Sequence, residues 1–116
     1  MEKISLKQRD LVLVPFPFSD RSGQKVRPAV VVSNDRYNKK GSDIILCAVT
    51  TNCTPSVYSL LINSKDLSSG ILYEPSAIKT DSVLKLQQDM VLKVIGAINI
   101  QTHAKLRTII SQLFGD

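Results

Sequence analysis

The sequence has no tryptophan and very few residues of the types that hold structural zinc: two cysteines, Cys47 and Cys53, and one histidine, His103. A structural zinc site needs about four such ligands, so these residues alone cannot build one. We therefore expect neither a metal nor a cofactor. Cys47 lies in an apolar segment and is expected to be a small buried residue with a reduced thiol. The role of Cys53 stays open.

Long apolar runs are also missing. No segment approaches the roughly 20 apolar residues of a membrane span, and the first seven residues lack the apolar core of a signal peptide. We therefore expect a cytoplasmic protein that does not enter a membrane.

The chain of 116 residues has the length of one compact domain, residues 1–116, with 43% hydrophobic and 22% charged residues. Its net charge of +5 and pI near 9.4 would attract a polyanion. RNA, DNA and an acidic protein all fit this charge. Composition alone does not separate such a protein from one that is merely basic and soluble.

Six short segments rich in β-branched residues are predicted to be strands: residues 11–14, 26–33, 44–51, 57–62, 77–86 and 91–97. Turn-forming clusters separate them. The last segment has helical spacing, which predicts a helix from about 100 to 114 with Asn99 as its N-cap and Gly115 as its stop. This order favours a mainly β protein, a small closed or half-closed antiparallel barrel with a C-terminal α-helix.

Arg27 is unusual because it begins an otherwise apolar strand, after an exposed loop that carries Arg21, Gln24 and Lys25. On local pattern alone, such an arginine more often anchors a strand end to a surface carboxylate. A second strand ends in Thr50 and Thr51, and alternation places these two side chains on opposite faces, so only one can join a given site.

An arginine and a threonine hydroxyl at adjacent strand ends would form a pocket of phosphate size. RNA makes such a pocket potentially catalytic, because its own 2′-hydroxyl can attack the neighbouring phosphate. The protein then needs only to align the RNA and stabilise the charge that develops on the phosphoryl oxygens. We predict that Arg21, Gln24 and Lys25 contact this substrate.

The same residues resemble the MazF/PemK toxins of bacterial type II toxin–antitoxin pairs. The resemblance runs nearly end to end, and its most specific part is the arginine–proline strand with its upstream loop. Its segments are residues 10–20, 25–35, 48–51, 75–78 and 94–98, namely DLVLVPFPFSD, KVRPAVVVSND, AVTT, PSAI and VIGAI.

This resemblance implies a Src-homology-3-like (SH3-like) barrel, a homodimer, and sequence-specific cleavage of single-stranded RNA without a metal. The products would carry a 2′,3′-cyclic phosphate and a 5′-hydroxyl, and a cognate antitoxin would neutralise the protein. The resemblance places the catalytic pair on Arg27 and Thr50, with Thr51 as the alternative if the register slips by one. It also places Ser76 and Asp81 beside the substrate.

One position departs from the family pattern, because Leu84 stands where many relatives carry a basic residue. The neighbouring Lys85 should point to the other face of the sheet and cannot replace that charge. The sequence identifies no general base. His103 is expected at the surface or core edge of the helix, and Asp81 is a weak candidate.

Two other functions stay open. The related CcdB-type toxins have a similar barrel and inhibit DNA gyrase without cutting RNA, but they depend on residues of the C-terminal helix. A barrel that only binds single-stranded nucleic acid would need exposed aromatic residues for stacking. Phe16, Phe18 and Tyr37 could serve, but only 5% of the residues are aromatic.

Overall fold

A computed structural model of the protein describes residues 5–16 and 25–115. Short 3₁₀ turns at Ser64–Asp66 and Gln88–Met90 connect some of its elements. In chain order the elements are β1 (Asp10–Phe16), β2 (Lys25–Val31), α1 (Asp35–Lys40), β3 (Asp43–Thr50), β4 (Ser59–Ile62), β5 (Leu67–Gly70), β6 (Ser76–Gln87), β7 (Lys93–Ile98) and α2 (Ile100–Phe114).

The strands form one antiparallel sheet in the order β4-β6-β3-β2-β1-β7-β5. The sheet curls into a half-barrel whose edges are the two short strands β4 and β5, each four residues long. Short edge strands limit edge-to-edge pairing between molecules. The predicted mainly β barrel with a C-terminal helix is confirmed.

All six predicted strands are present, with bounds that differ by a few residues, but β5 was missed. Its residues, Leu67–Gly70, fall in the turn-forming segment between the predicted strands 57–62 and 77–86. Three of these four residues are serine or glycine, and three are exposed, so no period of two marks the strand. Its pairing with β7 is also irregular, because the register shifts between Leu67 and Ser69.

Strand β6 contains a bulge that changes which face its residues occupy. Val83 lies opposite Cys47 of β3, but the next β3 residue, Ala48, lies opposite Lys79, so residues 80–82 stand outside the register. Thr80 turns instead toward the β4 side, where its backbone N–H and its hydroxyl both donate to the carbonyl of Tyr58 at 3.0 and 2.7 Å.

The sheet buries a separate apolar cluster on each face. One face, which we call the helix face, packs against α2. Its apolar cluster includes Val30, Cys47, Val49 and Ile78 of the sheet and Leu106 of α2. We call the other face the Arg27 face, and its cluster includes Val12, Val14, Ala29, Val31 and Leu46. Cys47 has no exposed surface, which confirms the prediction for this residue.

Both helices begin at an asparagine cap. The Asn99 side chain accepts from the backbone N–H of Thr102 at 2.8 Å, and α2 then runs to Phe114, as predicted. The Asn34 side chain accepts from the N–H of Tyr37 at 2.8 Å in the same way and starts α1.

Candidate active site

Arg27 is the third residue of β2 and is half-buried. It shares its face with Ala29 and Val31, because alternate residues of a strand point to the same side of the sheet. Its neighbour in β1 is Val14, which has no exposed surface, and the Nε atom of Arg27 is shielded from solvent. Arg27 therefore stands where the apolar cluster of its face ends.

Thr50 lies on the same face as Arg27. Strands β2 and β3 pair Val31 with Leu46 and Ala29 with Ala48, and Arg27 and Thr50 each lie two residues beyond the last of these pairs, on the same face. The Thr50 hydroxyl accepts a hydrogen bond from the N–H of Asn52 at 3.1 Å, which orients the oxygen while its proton remains available for donation.

Thr51 is exposed and follows the last residue of β3. Alternation assigns it to the side of Cys47 and Val49, the helix face. Arg27 and Thr50 thus lie on the same face of neighbouring strands, and alternation places the alternative, Thr51, on the other face.

Two lysines join Arg27 on its face. Lys25 lies two residues before Arg27 in β2 and is exposed, so the predicted substrate contact stands beside the site. Lys79 was not predicted. It pairs with Ala48, which precedes Thr50 by two residues on the same face. Sequence alternation did not indicate this position because the bulge after Lys79 breaks the period of β6.

Ser76 and Asp81 do not join this group. Ser76 pairs with Ile62 on the helix face, is 4% exposed, and donates from its hydroxyl to the carbonyl of Glu74 at 3.1 Å. Asp81 lies in the β6 bulge and is exposed. Burial, followed by the charge of Asp81, raises the pKa of Cys47 to about 11. The predicted substrate contacts of Ser76 and Asp81 stay predictions.

Two further predicted contacts, Arg21 and Gln24, lie outside the described residues. His103 lies near the start of α2, the helix that covers the opposite face of the sheet. Burial, with the charges of Arg107 and Arg9, lowers the pKa of His103. This histidine is separated by the sheet from Arg27.

Leu84 is partly buried and packs against the apolar cluster of the Arg27 face. Lys85 points to the other side, where its ammonium group lies 3.6 Å from the carboxylate of Asp43. The two residues therefore have the opposite orientations expected from the sequence, and Leu84 serves as a core residue.

Within residues 5–16 and 25–115, no group of three or more His, Cys, Asp and Glu side chains could hold a metal ion. In that same part of the chain, no helix is long and apolar enough to cross a lipid bilayer.

The sequence matches the profile of a known protein family over most of its length. Residues 7–114 match the sequence profile described as the PemK-like, MazF-like toxin of type II toxin–antitoxin systems. Among curated proteins, none matches the chain.

Solved structures share the fold at low sequence identity. An endoribonuclease from a mycobacterial species has 16% identity and a TM-score of 0.74, with 97% of this chain and 93% of that chain covered. Mycobacterium tuberculosis toxin MazF-mt6 has 15% identity and a TM-score of 0.75, with 93% and 99% covered. In a MazE–MazF structure from Deinococcus radiodurans, the similar chain has 19% identity and a TM-score of 0.73, with 95% and 96% covered.

Proposed function

The chain belongs to the PemK-like, MazF-like toxins of type II toxin–antitoxin systems, and on that basis we propose that it is an endoribonuclease. Its substrate is single-stranded RNA, which it cuts at short specific sequences without a metal. The similar mycobacterial structure is itself described as an endoribonuclease, which supports the proposal.

The observation that carries this proposal is the alignment of Arg27 with Thr50. The strand register puts an arginine and a threonine on the same face of neighbouring strands, which supports the proposal. The guanidinium offers several donors in a fixed fork that matches two phosphoryl oxygens, and the hydroxyl can donate to another. This combination suits a phosphodiester group better than it suits a neutral ligand.

The proposed reaction uses the nucleophile of the RNA. The 2′-oxygen attacks the adjacent phosphorus, a new P–O2′ bond forms, and the P–O5′ bond breaks. One fragment then ends in a 2′,3′-cyclic phosphate and the other begins with a 5′-hydroxyl. Arg27 and Thr50 stabilise the negative charge on the non-bridging oxygens as the five-coordinate transition state forms.

Water carries the protons in this scheme. An arginine side chain keeps its proton at neutral pH, and so it is a poor acid or base. His103 lies across the sheet from the catalytic pair. We therefore assign Arg27 to charge stabilisation, while the proton of the 2′-hydroxyl leaves to water and water protonates the departing 5′-oxygen.

We propose two protein partners for this chain, a cognate antitoxin and a second copy of itself. A cognate antitoxin would cover the basic site with an acidic segment, since the net charge of +5 favours such a ligand. The similar deinococcal structure contains MazF together with MazE, which supports a protein partner. We also propose that the active form is a homodimer and that it acts in the cytoplasm.

The test is cleavage of a long RNA by the purified protein in excess EDTA, with the cut sites mapped and the new ends identified. We expect discrete fragments whose 5′ ends accept phosphate from a kinase directly and whose 3′ ends need opening of a cyclic phosphate. Intact RNA together with inhibition of gyrase supercoiling would instead indicate the CcdB-type function. Binding of RNA with neither effect would indicate a barrel that only binds.

A further inference from the structure

The Arg27 face carries a second pair made of a cation and a hydroxyl. Lys79 of β6 pairs with Ser59 of β4, so these two side chains stand opposite each other on that face. On its other side Lys79 pairs with Ala48 of β3, which shares the face with Thr50. The sheet thus repeats, two strands away, the chemical combination of Arg27 with Thr50.

Among residues 5–16 and 25–115, no anionic side chain pairs with Lys79. Its side chain is partly buried, yet it makes no hydrogen bond or ion pair with any residue that the structure describes. Lys85, six residues further along the same strand, does have a carboxylate partner, Asp43. A partly desolvated ammonium group is stabilised by a nearby anion, so Lys79 is suited to binding one.

The spacing between the two pairs suits one nucleic-acid strand. In a flat sheet, Arg27 and Lys79 are two strands and two residues apart, which corresponds to about 12 Å between their Cα atoms. Both side chains are long enough to reach into the space between these two positions. The side chains between them are small, since Ala48 lies beside Lys79 and Ala77 lies beside Thr50.

We propose that Lys79 and Ser59 form a second phosphate subsite, which binds a backbone phosphate of the RNA next to the one that is cut. The inference rests on the proposed ribonuclease function. This subsite holds the RNA in the same way before and during the reaction, so it contributes to binding and not to the chemical step. It reads the backbone and therefore does not select bases.

The main test is the kinetics of Lys79→Gln on an RNA oligonucleotide that carries the strongest wild-type cut site. We expect KM to rise about tenfold, the size of a lost charge-assisted hydrogen bond, and kcat to stay within about twofold. Lys79→Arg keeps the charge and should return KM to within about threefold of wild type. Lys85→Gln is the matched control, because it removes a lysine from the same strand on the other face.

The salt dependence of kcat/KM is a second measurement of the phosphate contact, and a packing defect would not change it. The plot of log kcat/KM against log salt concentration should become shallower by about 0.7 in Lys79→Gln, the value for one phosphate contact to a single strand. Ser59→Ala should raise KM by about threefold with the salt slope kept, because the hydroxyl is neutral.

Two results would overturn the subsite while the ribonuclease function stands: Lys79→Gln with the KM and salt slope of wild type, or Lys79→Gln with a lower kcat and an unchanged KM. The second result would make Lys79 part of the reaction centre. If the wild-type protein itself leaves RNA intact in EDTA, it is the proposed function that fails.

Discussion

Thr50→Val is the substitution that separates the proposed chemistry most cleanly from folding. Valine keeps the β-branched shape at the end of β3 and removes only the hydroxyl. The lost bond within the protein is the one from the N–H of Asn52, which is exposed and 3.1 Å long. We expect the free energy of unfolding to fall by less than about 1 kcal/mol.

The expected loss of activity is much larger. A hydrogen bond to a charged group contributes about 1.5–3 kcal/mol, which corresponds to about a 10- to 150-fold lower kcat/KM. Because the Thr50 hydroxyl is proposed to stabilise charge that grows in the transition state, most of this loss should appear in kcat.

Thr51→Val is the matched control. It makes the same chemical change one residue later, on the helix face and at an exposed position. Initial rates on one RNA oligonucleotide and urea unfolding would be measured for both variants. The reasoning is refuted if Thr50→Val cleaves as well as wild type, or if Thr51→Val loses as much activity as Thr50→Val.

Two predictions concern stability. Since burial raises the pKa of Cys47 from 9.0 to about 11, the thiol stabilises the fold below pH 9 and this contribution is lost as the pH rises through 11. The stability advantage of wild type over Cys47→Ala in urea should therefore shrink by about 1 kcal/mol between pH 8 and pH 10, and a constant difference would contradict it. Gly96→Ala should lower the free energy of unfolding by about 2 kcal/mol or more, because the new Cβ would lie 2.5 Å from the carbonyl oxygen of Ser69 in β5. Gly41→Ala is the control and should cost far less, because a Cβ there meets nothing within 4 Å.

The parts of the fold that the sequence predicts have a clear local signal. Helix α2 has a period of 3.6 and an asparagine cap, and both appear in the structure. Strand β5 has neither alternation nor β-branched side chains, and it is held in place by pairing with a distant strand, β7. Such tertiary pairing leaves no mark on a four-residue segment.

In the candidate site, too, some features follow from the local sequence and others depend on distant strand pairing. Alternation alone predicts that Thr50 and Thr51 face opposite sides, but only the register between β2 and β3 decides which one meets Arg27. The position of Lys79 depends on the bulge in β6, whose three extra residues reverse the expected phase of the strand. A bulge is fixed by contacts with neighbouring strands and not by local preference, so sequence alternation did not reveal this residue.

Cleavage of RNA by Arg27→Ala tests the central claim most directly. With RNA, EDTA and protein held constant, we expect the initial rate to fall by about a hundredfold or more, as loss of a charge-stabilising donor does, while the thermal unfolding midpoint stays near that of wild type. Arg107→Ala, which removes an exposed arginine from α2, should cleave at the wild-type rate. A folded Arg27→Ala variant that cuts the same sites within a few-fold of wild type would contradict the account.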